Sequence, residues 1–170
     1  MDIVHRIGIK APAAKVYAAL ATIDGLAGWW TKSTSGTSKP GGHVAFVFHT
    51  AAGDEIGGFG MDVLELTPEH KVHWRVKDGP PEWVGTEIEF VLSREDEHTI
   101  VMFGHRQWRE QAAFMAHCST KWATFLLSLR DLVETGQGQP SPNDLKISNW
   151  HGVHHEQEDC RNRARVRPLC

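Results

Sequence analysis

The sequence predicts an α+β fold: a curved antiparallel sheet of about six or seven strands wrapped around a long C-terminal helix, with two short N-terminal helices. The middle of the chain carries the first sign. Apolar and polar side chains alternate there, and turn residues recur about every ten positions, as in an antiparallel meander. Further on the period changes. Met115, Cys118, Trp122, Phe125, Leu129 and Leu132 recur every three or four positions, which makes one apolar stripe on a helix. Between the first strand and the meander, Pro12 and Thr22 stand where short helices begin.

Residues 3–9 are rich in β-branched side chains and read as the first strand. Pro12 suits a first helical turn, where its missing N–H is not needed, and Val16, Tyr17, Ala19 and Leu20 follow at helical spacing. Residues 22–27 read as a second short helix, with Thr22 or Asp24 at its start, running into Trp29-Trp30. Residues 31–42 have loop composition. Strands are expected near 44–48, 56–66, 72–76, 86–92 and 99–105. Gly57, Gly58 and Gly60 suit a strand bent around the helix. The broken alternation at Val63, Leu64, Glu65 and Leu66 points to a β-bulge that re-aims Glu65. The long helix should run for about 22 to 26 residues and stop at Gly136. The domain is expected to span residues 1–140, with a polar, loosely ordered extension over 141–170.

With 41% hydrophobic and 23% charged residues over 170 positions, one globular domain is expected, and disordered, collagen-like and coiled-coil classes are excluded. No run approaches the ~18 apolar residues of a membrane span, so no integral membrane association is expected. The N-terminus has no signal-peptide pattern. Three cysteines are too few for a disulfide framework, and a cytoplasmic location is the expectation. The net charge of −3 gives no basic field for nucleic acid. Seven Trp and seven Phe stand against a single Tyr. Aromatics this apolar line either a large core or an apolar cavity, and composition leaves both open.

The candidate ligand-binding residues follow from register. Trp29 and Trp30 sit at a helix-to-loop junction, at a cavity mouth or in the core. Phe46, Phe48, Trp74, Phe90, Val101 and Phe103 fall on the inward face of their strands. Trp122 and Phe125 face the same space from the helix. His105 continues the inward register of Val101 and Phe103. It is either a satisfied core group or the polar contact that orients an apolar ligand. General-base chemistry needs a second convergent group, for which Glu65 is the one candidate, so no residue is assigned as catalytic. Gly57, Gly58 and Gly60 precede no helix and form no phosphate loop, and no nucleophile elbow is present. No cofactor is expected. His151, His154, His155 and Cys160 match no zinc spacing, so no metal site is assigned, and Arg161, Arg163, Arg165 and Arg167 read as a solvated basic tail.

The order of these motifs resembles a known family. Ile7, Pro12, Val16-Tyr17, Ala19-Leu20, Leu26 and Trp29-Trp30 look like the N-terminal part of the activator of heat-shock protein ATPase homologue family. Gly41-Gly42, Val44 and Phe46 resemble its second strand, and the stretches Val63-Leu64-Glu65-Leu66-Thr67-Pro68 and Val72, Trp74 its central hairpin. Residues 99–105 resemble its last strand and residues 122–136 its closing helix. That family belongs to the START-like superfamily of lipid-transfer domains and polyketide cyclases. The resemblance implies a helix-grip fold with an apolar pocket, without implying one activity. The expected function is binding of a hydrophobic or amphipathic small molecule between sheet and helix, by a monomer or homodimer. A cyclase or hydrolase acting in the same pocket is one alternative. A chaperone ATPase regulator or other protein-interaction domain is the other.

Overall fold

A computed structural model describes residues 1–110 and 112–149. The chain runs β1 (Ile3–Ile9), α1 (Ala13–Ala21), α2 (Ile23–Trp29), β2 (Ser33–Gly36), β3 (His43–His49), β4 (Glu55–Thr67), β5 (Lys71–Asp78), β6 (Glu87–Glu95), β7 (His98–Arg106) and α3 (Ala113–Thr135). The seven strands form one antiparallel sheet in the order β1-β7-β6-β5-β4-β3-β2. Its concave face closes on α3, a helix of 23 residues and so about 35 Å long. This is the helix-grip architecture that the alternation and the apolar stripe predict.

Local chemistry sets the helix ends. Pro12 caps α1 with φ −62° and an extended ψ, where its missing N–H leaves no hydrogen bond unmade. Thr22 ends one helix and begins the next. Its hydroxyl donates to the Ala18 carbonyl at 2.7 Å and accepts from the Gly25 N–H at 3.0 Å. A Cβ on Gly25 would lie 2.5 Å from the Ala18 oxygen, so α2 folds back onto α1 this tightly only with glycine there. Gly136 closes α3 in the left-handed region at φ 86°, its N–H donating to the Leu132 carbonyl at 2.9 Å.

Period-2 alternation puts Val72, Trp74 and Val76 of β5, Ile88, Phe90 and Leu92 of β6, and Val101, Phe103 and His105 of β7 on the buried face. The outer face carries ion pairs: Arg75 to Glu87 at 2.7 Å, Arg106 to Glu89 at 2.5 Å and Lys71 to Glu65 at 2.9 Å. The sheet bends where its register slips, between Phe48 and His49 on β3 and twice along the 13-residue β4. One β4 slip lies between Val63 and Glu65. It leaves Leu64 as the bulge and pairs Glu65 with His73. Glu65 therefore lies outside, accepting from Thr67 at 2.7 Å, and offers nothing to the interior.

Two segments differ from the sequence expectation. Residues 33–36, read as loop, form the edge strand β2, paired on one side only, with β3. Contacts with the body also extend past residue 140. Ser141 is buried; its N–H donates to the Trp30 carbonyl at 2.8 Å and its carbonyl accepts from the Lys32 N–H at 3.2 Å. Asp144 is buried beside Lys121. The first residues of the expected loose extension are thus fixed to the body. Trp150, the His/Cys stretch and the arginine-rich tail lie outside the described residues. Among the described residues, no helix is long and apolar enough to cross a membrane.

Candidate functional site

Trp30 occupies the centre of the space between sheet and helix. Its ring lies 4.3 Å from Phe46, 4.7 Å from Trp122 and 5.3 Å from Phe59, centroid to centroid. Trp29 stacks on it at 5.5 Å with planes 9° apart, and donates its indole N–H to the Ala19 carbonyl at 3.0 Å. Both rings are buried, so neither forms an exposed lid.

Among the described residues these rings pack closely against one another. A void of about 10 Å³ remains, bordered by Trp30, Phe48, Phe59, Trp83, Cys118, Lys121, Trp122 and Phe125. That holds at most one water. Of the sequence candidates, Trp30, half-buried Phe48, Trp122 and Phe125 touch this void. Trp29, Phe46, Trp74, Phe90, Val101, Phe103 and His105 are buried in the packed wall around it. Period-2 register says which way those side chains face, but facing does not say how much volume is left between them.

His105 is fully buried. Trp122 Nε1 donates to its Nδ1 at 3.2 Å. Its Nε2 lies 2.8 Å from the Thr86 hydroxyl, which itself donates to the Trp83 carbonyl at 2.5 Å. The single hydroxyl proton is therefore committed, and Nε2–H must be the donor to Thr86. Burial lowers the His105 pKa to about 3, against a small opposing pull from Asp2. The ring is neutral at physiological pH with both nitrogens engaged by protein groups. That is the arrangement of a structural histidine; neither a ligand contact nor a general base is left free on it.

Lys121 lies on α3 at the edge of the void, 5.0 Å above the Phe125 ring. It is bound by Asp144 and by the Leu145 carbonyl at 2.7 Å, while Lys146 holds the other Asp144 oxygen at 3.1 Å. Burial pushes Asp144 upward, but Lys121 and Lys146 more than offset this and hold its carboxyl below the usual range. Burial lowers Lys121, with Asp144 opposing.

Room for a ligand lies at one end of the grip. The turn between β5 and β6 faces the β7–α3 connection there, and a groove of about 360 Å³ opens between them. Its apolar wall is Pro81, Trp108, Ala112, Phe114 and Met115, and Glu82, Arg109 and Glu110 complete the lining. The volume falls in the range of small-molecule sites, ~300–1,000 Å³. Trp108 is pinned by the N-terminus: its N–H donates to the Met1 carbonyl at 3.0 Å, and the Met1 ammonium donates to its carbonyl at 3.0 Å. Trp83 is fixed by its own turn, its N–H donating to the Pro80 carbonyl at 2.8 Å. Trp83 borders the inner void and Trp108 the groove, and the two rings meet edge to face at 6.4 Å. They form the partition between the two spaces.

Sequence reading placed Met115 on the helix stripe and missed Trp83, Trp108 and Phe114. The available signal was a tryptophan inside a turn, after Pro80-Pro81, and another just past the last strand. Large apolar rings in such places have no periodic reason to be there.

The sequence model described as Activator of Hsp90 ATPase homolog 1-like protein matches residues 10–134. No curated protein sequence matches this chain. Among solved structures, a solution structure of the Aha1 dimer from Colwellia psychrerythraea is 45% identical, with 81% of this chain and 99% of that one covered and a TM-score of 0.71. The crystal structure of protein SSP2350 from Staphylococcus saprophyticus shares the fold at 15% identity, with coverages of 83% and 98% and a TM-score of 0.66. CalU16 from Micromonospora echinospora shares it at 19% identity, with coverages of 79% and 77% and a TM-score of 0.62. The family match begins just after β1 and runs to within one residue of the end of α3, so it takes in six of the seven strands and all three helices, and the chain belongs to the Activator of Hsp90 ATPase homolog 1-like family.

Proposed function

We propose that this chain is a binding module for a hydrophobic or amphipathic small molecule, seated in the groove walled by Trp108, Phe114 and Met115. The observation that carries the reading is a mostly apolar concavity of about 360 Å³ at the end of the helix grip, against a void of only about 10 Å³ beside Trp30. The mechanism is burial of ligand area, at ~25 cal/mol per Å². Glu82, Arg109 and Glu110 at the groove suit a ligand with a polar head. A cyclase or hydrolase would need convergent polar groups, and His105 and Glu65 are engaged elsewhere.

Titration with the dye 1-anilinonaphthalene-8-sulfonate tests this. Ala112→Trp places a large ring in the groove and should weaken dye binding at least tenfold while leaving the melting temperature near wild type. Unchanged dye affinity in that variant would remove the groove from the function.

A second reading is regulation of the Hsp90 ATPase. It is favoured by the family description and by the 45% identity to a structure described as an Aha1 dimer. Adding this chain to Hsp90 and following ATP turnover tests it. Stimulation that persists in Ala112→Trp would assign the activity to a surface other than the groove. Sedimentation velocity decides between monomer and homodimer.

A further inference from the structure

Among the described residues, Trp74, Trp83 and Trp108 are buried with indole N–H groups that meet no acceptor. Two other core indoles are satisfied, Trp29 by the Ala19 carbonyl and Trp122 by His105. A buried donor without an acceptor is costly, so such groups are rare unless something answers them. Two of the three stand together, since Trp83 and Trp108 form the partition between inner void and groove. No residue with a side-chain oxygen is among those bordering the void.

We propose that the ligand of the groove carries a carbonyl oxygen, as in a ketone, quinone, ester or carboxylic acid, and that this oxygen accepts a hydrogen bond from Trp83 or Trp108. This rests on the ligand-binding reading of the groove and names the class of ligand it takes. The apolar body lies against Trp108, Phe114 and Met115. The oxygen reaches the N–H groups by spreading the two rings, and the new hydrogen bond offsets the ring contact given up.

Fluorene and 9-fluorenone are rigid tricyclic probes of nearly equal size that differ by one carbonyl. Calorimetric titration of both into the full chain, as wild type, Trp83→Phe, Trp108→Phe and Trp74→Phe, tests the proposal. In wild type, 9-fluorenone should bind at least about fivefold more tightly than fluorene. That advantage should collapse toward one in Trp83→Phe or Trp108→Phe. It should persist in Trp74→Phe, whose indole borders neither space. The carbonyl stretching band of bound 9-fluorenone should move to lower wavenumber in wild type, a reading that stands even where a variant fails to fold. Equal affinity for the two probes, or an unshifted band, would overturn the carbonyl proposal and leave the ligand-binding reading in place. Binding of neither probe would overturn both.

Discussion

Trp122 on α3 donates its indole N–H to Nδ1 of His105 on β7 at 3.2 Å, a polar bond joining helix to sheet inside an apolar interior. His105→Phe keeps most of the ring volume but removes that acceptor. The Thr86 hydroxyl still has the Trp83 carbonyl, so one donor is orphaned. Stability should fall by ~1–3 kcal/mol. Urea unfolding with an unchanged slope is the measurement, and a wild-type midpoint would show that the bond contributes nothing.

The same histidine makes stability depend on pH. Its pKa is about 3 when folded, against an ordinary value of 6.5. Below 6.5 the unfolded chain takes up a proton that the folded chain refuses, so stability present above that pH is lost as pH falls toward 3. The slope from this group is ~1.4 kcal/mol per pH unit. Between about pH 6.5 and 5 the effect is separable from carboxyl groups such as Asp144 and Glu87, which are held below the ordinary carboxylate range. Unfolding curves across that window should slope for wild type and flatten for His105→Phe. Parallel curves would place the pH dependence elsewhere.

Lys121 and Asp144 are a buried pair, 9% and 6% exposed. Asp144→Leu leaves the Lys121 ammonium buried with the Leu145 carbonyl and the Phe125 ring but no counter-charge, and should cost ~3–5 kcal/mol. Lys121→Met combined with Asp144→Leu should recover most of that loss, because no unpaired charge remains. Chemical denaturation of both variants checks the sign. A double variant as weak as the single one would mean the pair contributes net stability.

Trp30→Ala removes the ring at the centre of the interior. The expected loss is ~3–5 kcal/mol, for a large core truncation. The variant should also enlarge the void beside Phe48, Phe59 and Trp83 and bind fluorene more tightly than wild type. Weaker fluorene binding would show that Trp30 forms part of the ligand's own contact surface.

The fold was legible because periodicity reports which face of an element is apolar. The break at Val63 to Leu66 marked a true bulge, and Gly136 marked the helix end. β2 escaped because Ser33-Thr34-Ser35-Gly36 has no apolar face; its pairing to β3 alone holds it in the sheet. Ser141 and Asp144 escaped because they are fixed by a few distant contacts, Ser141 by Trp30 and Lys32 and Asp144 by Lys121, and isolated contacts have no period. The groove was illegible for a related reason. Void volume is what is left after every ring has been placed, and its walls come from two loops and the start of a helix.

Six tryptophans among the described residues form one chain of touching rings. Trp29 meets Trp30 at 5.5 Å, Trp30 meets Trp74 at 6.3 Å and Trp122 at 4.7 Å, Trp122 meets Trp83 at 6.0 Å, and Trp83 meets Trp108 at 6.4 Å. At such spacings electronic excitation hops from indole to indole before it is emitted. Light absorbed deep at Trp29 therefore samples Trp108 at the groove. Emission should be strongly depolarised under excitation at the middle of the absorption band and regain polarisation at its red edge. One quenching molecule against Trp108 should then darken the whole array, so the aromatic interior acts as an optical antenna for occupancy at its rim.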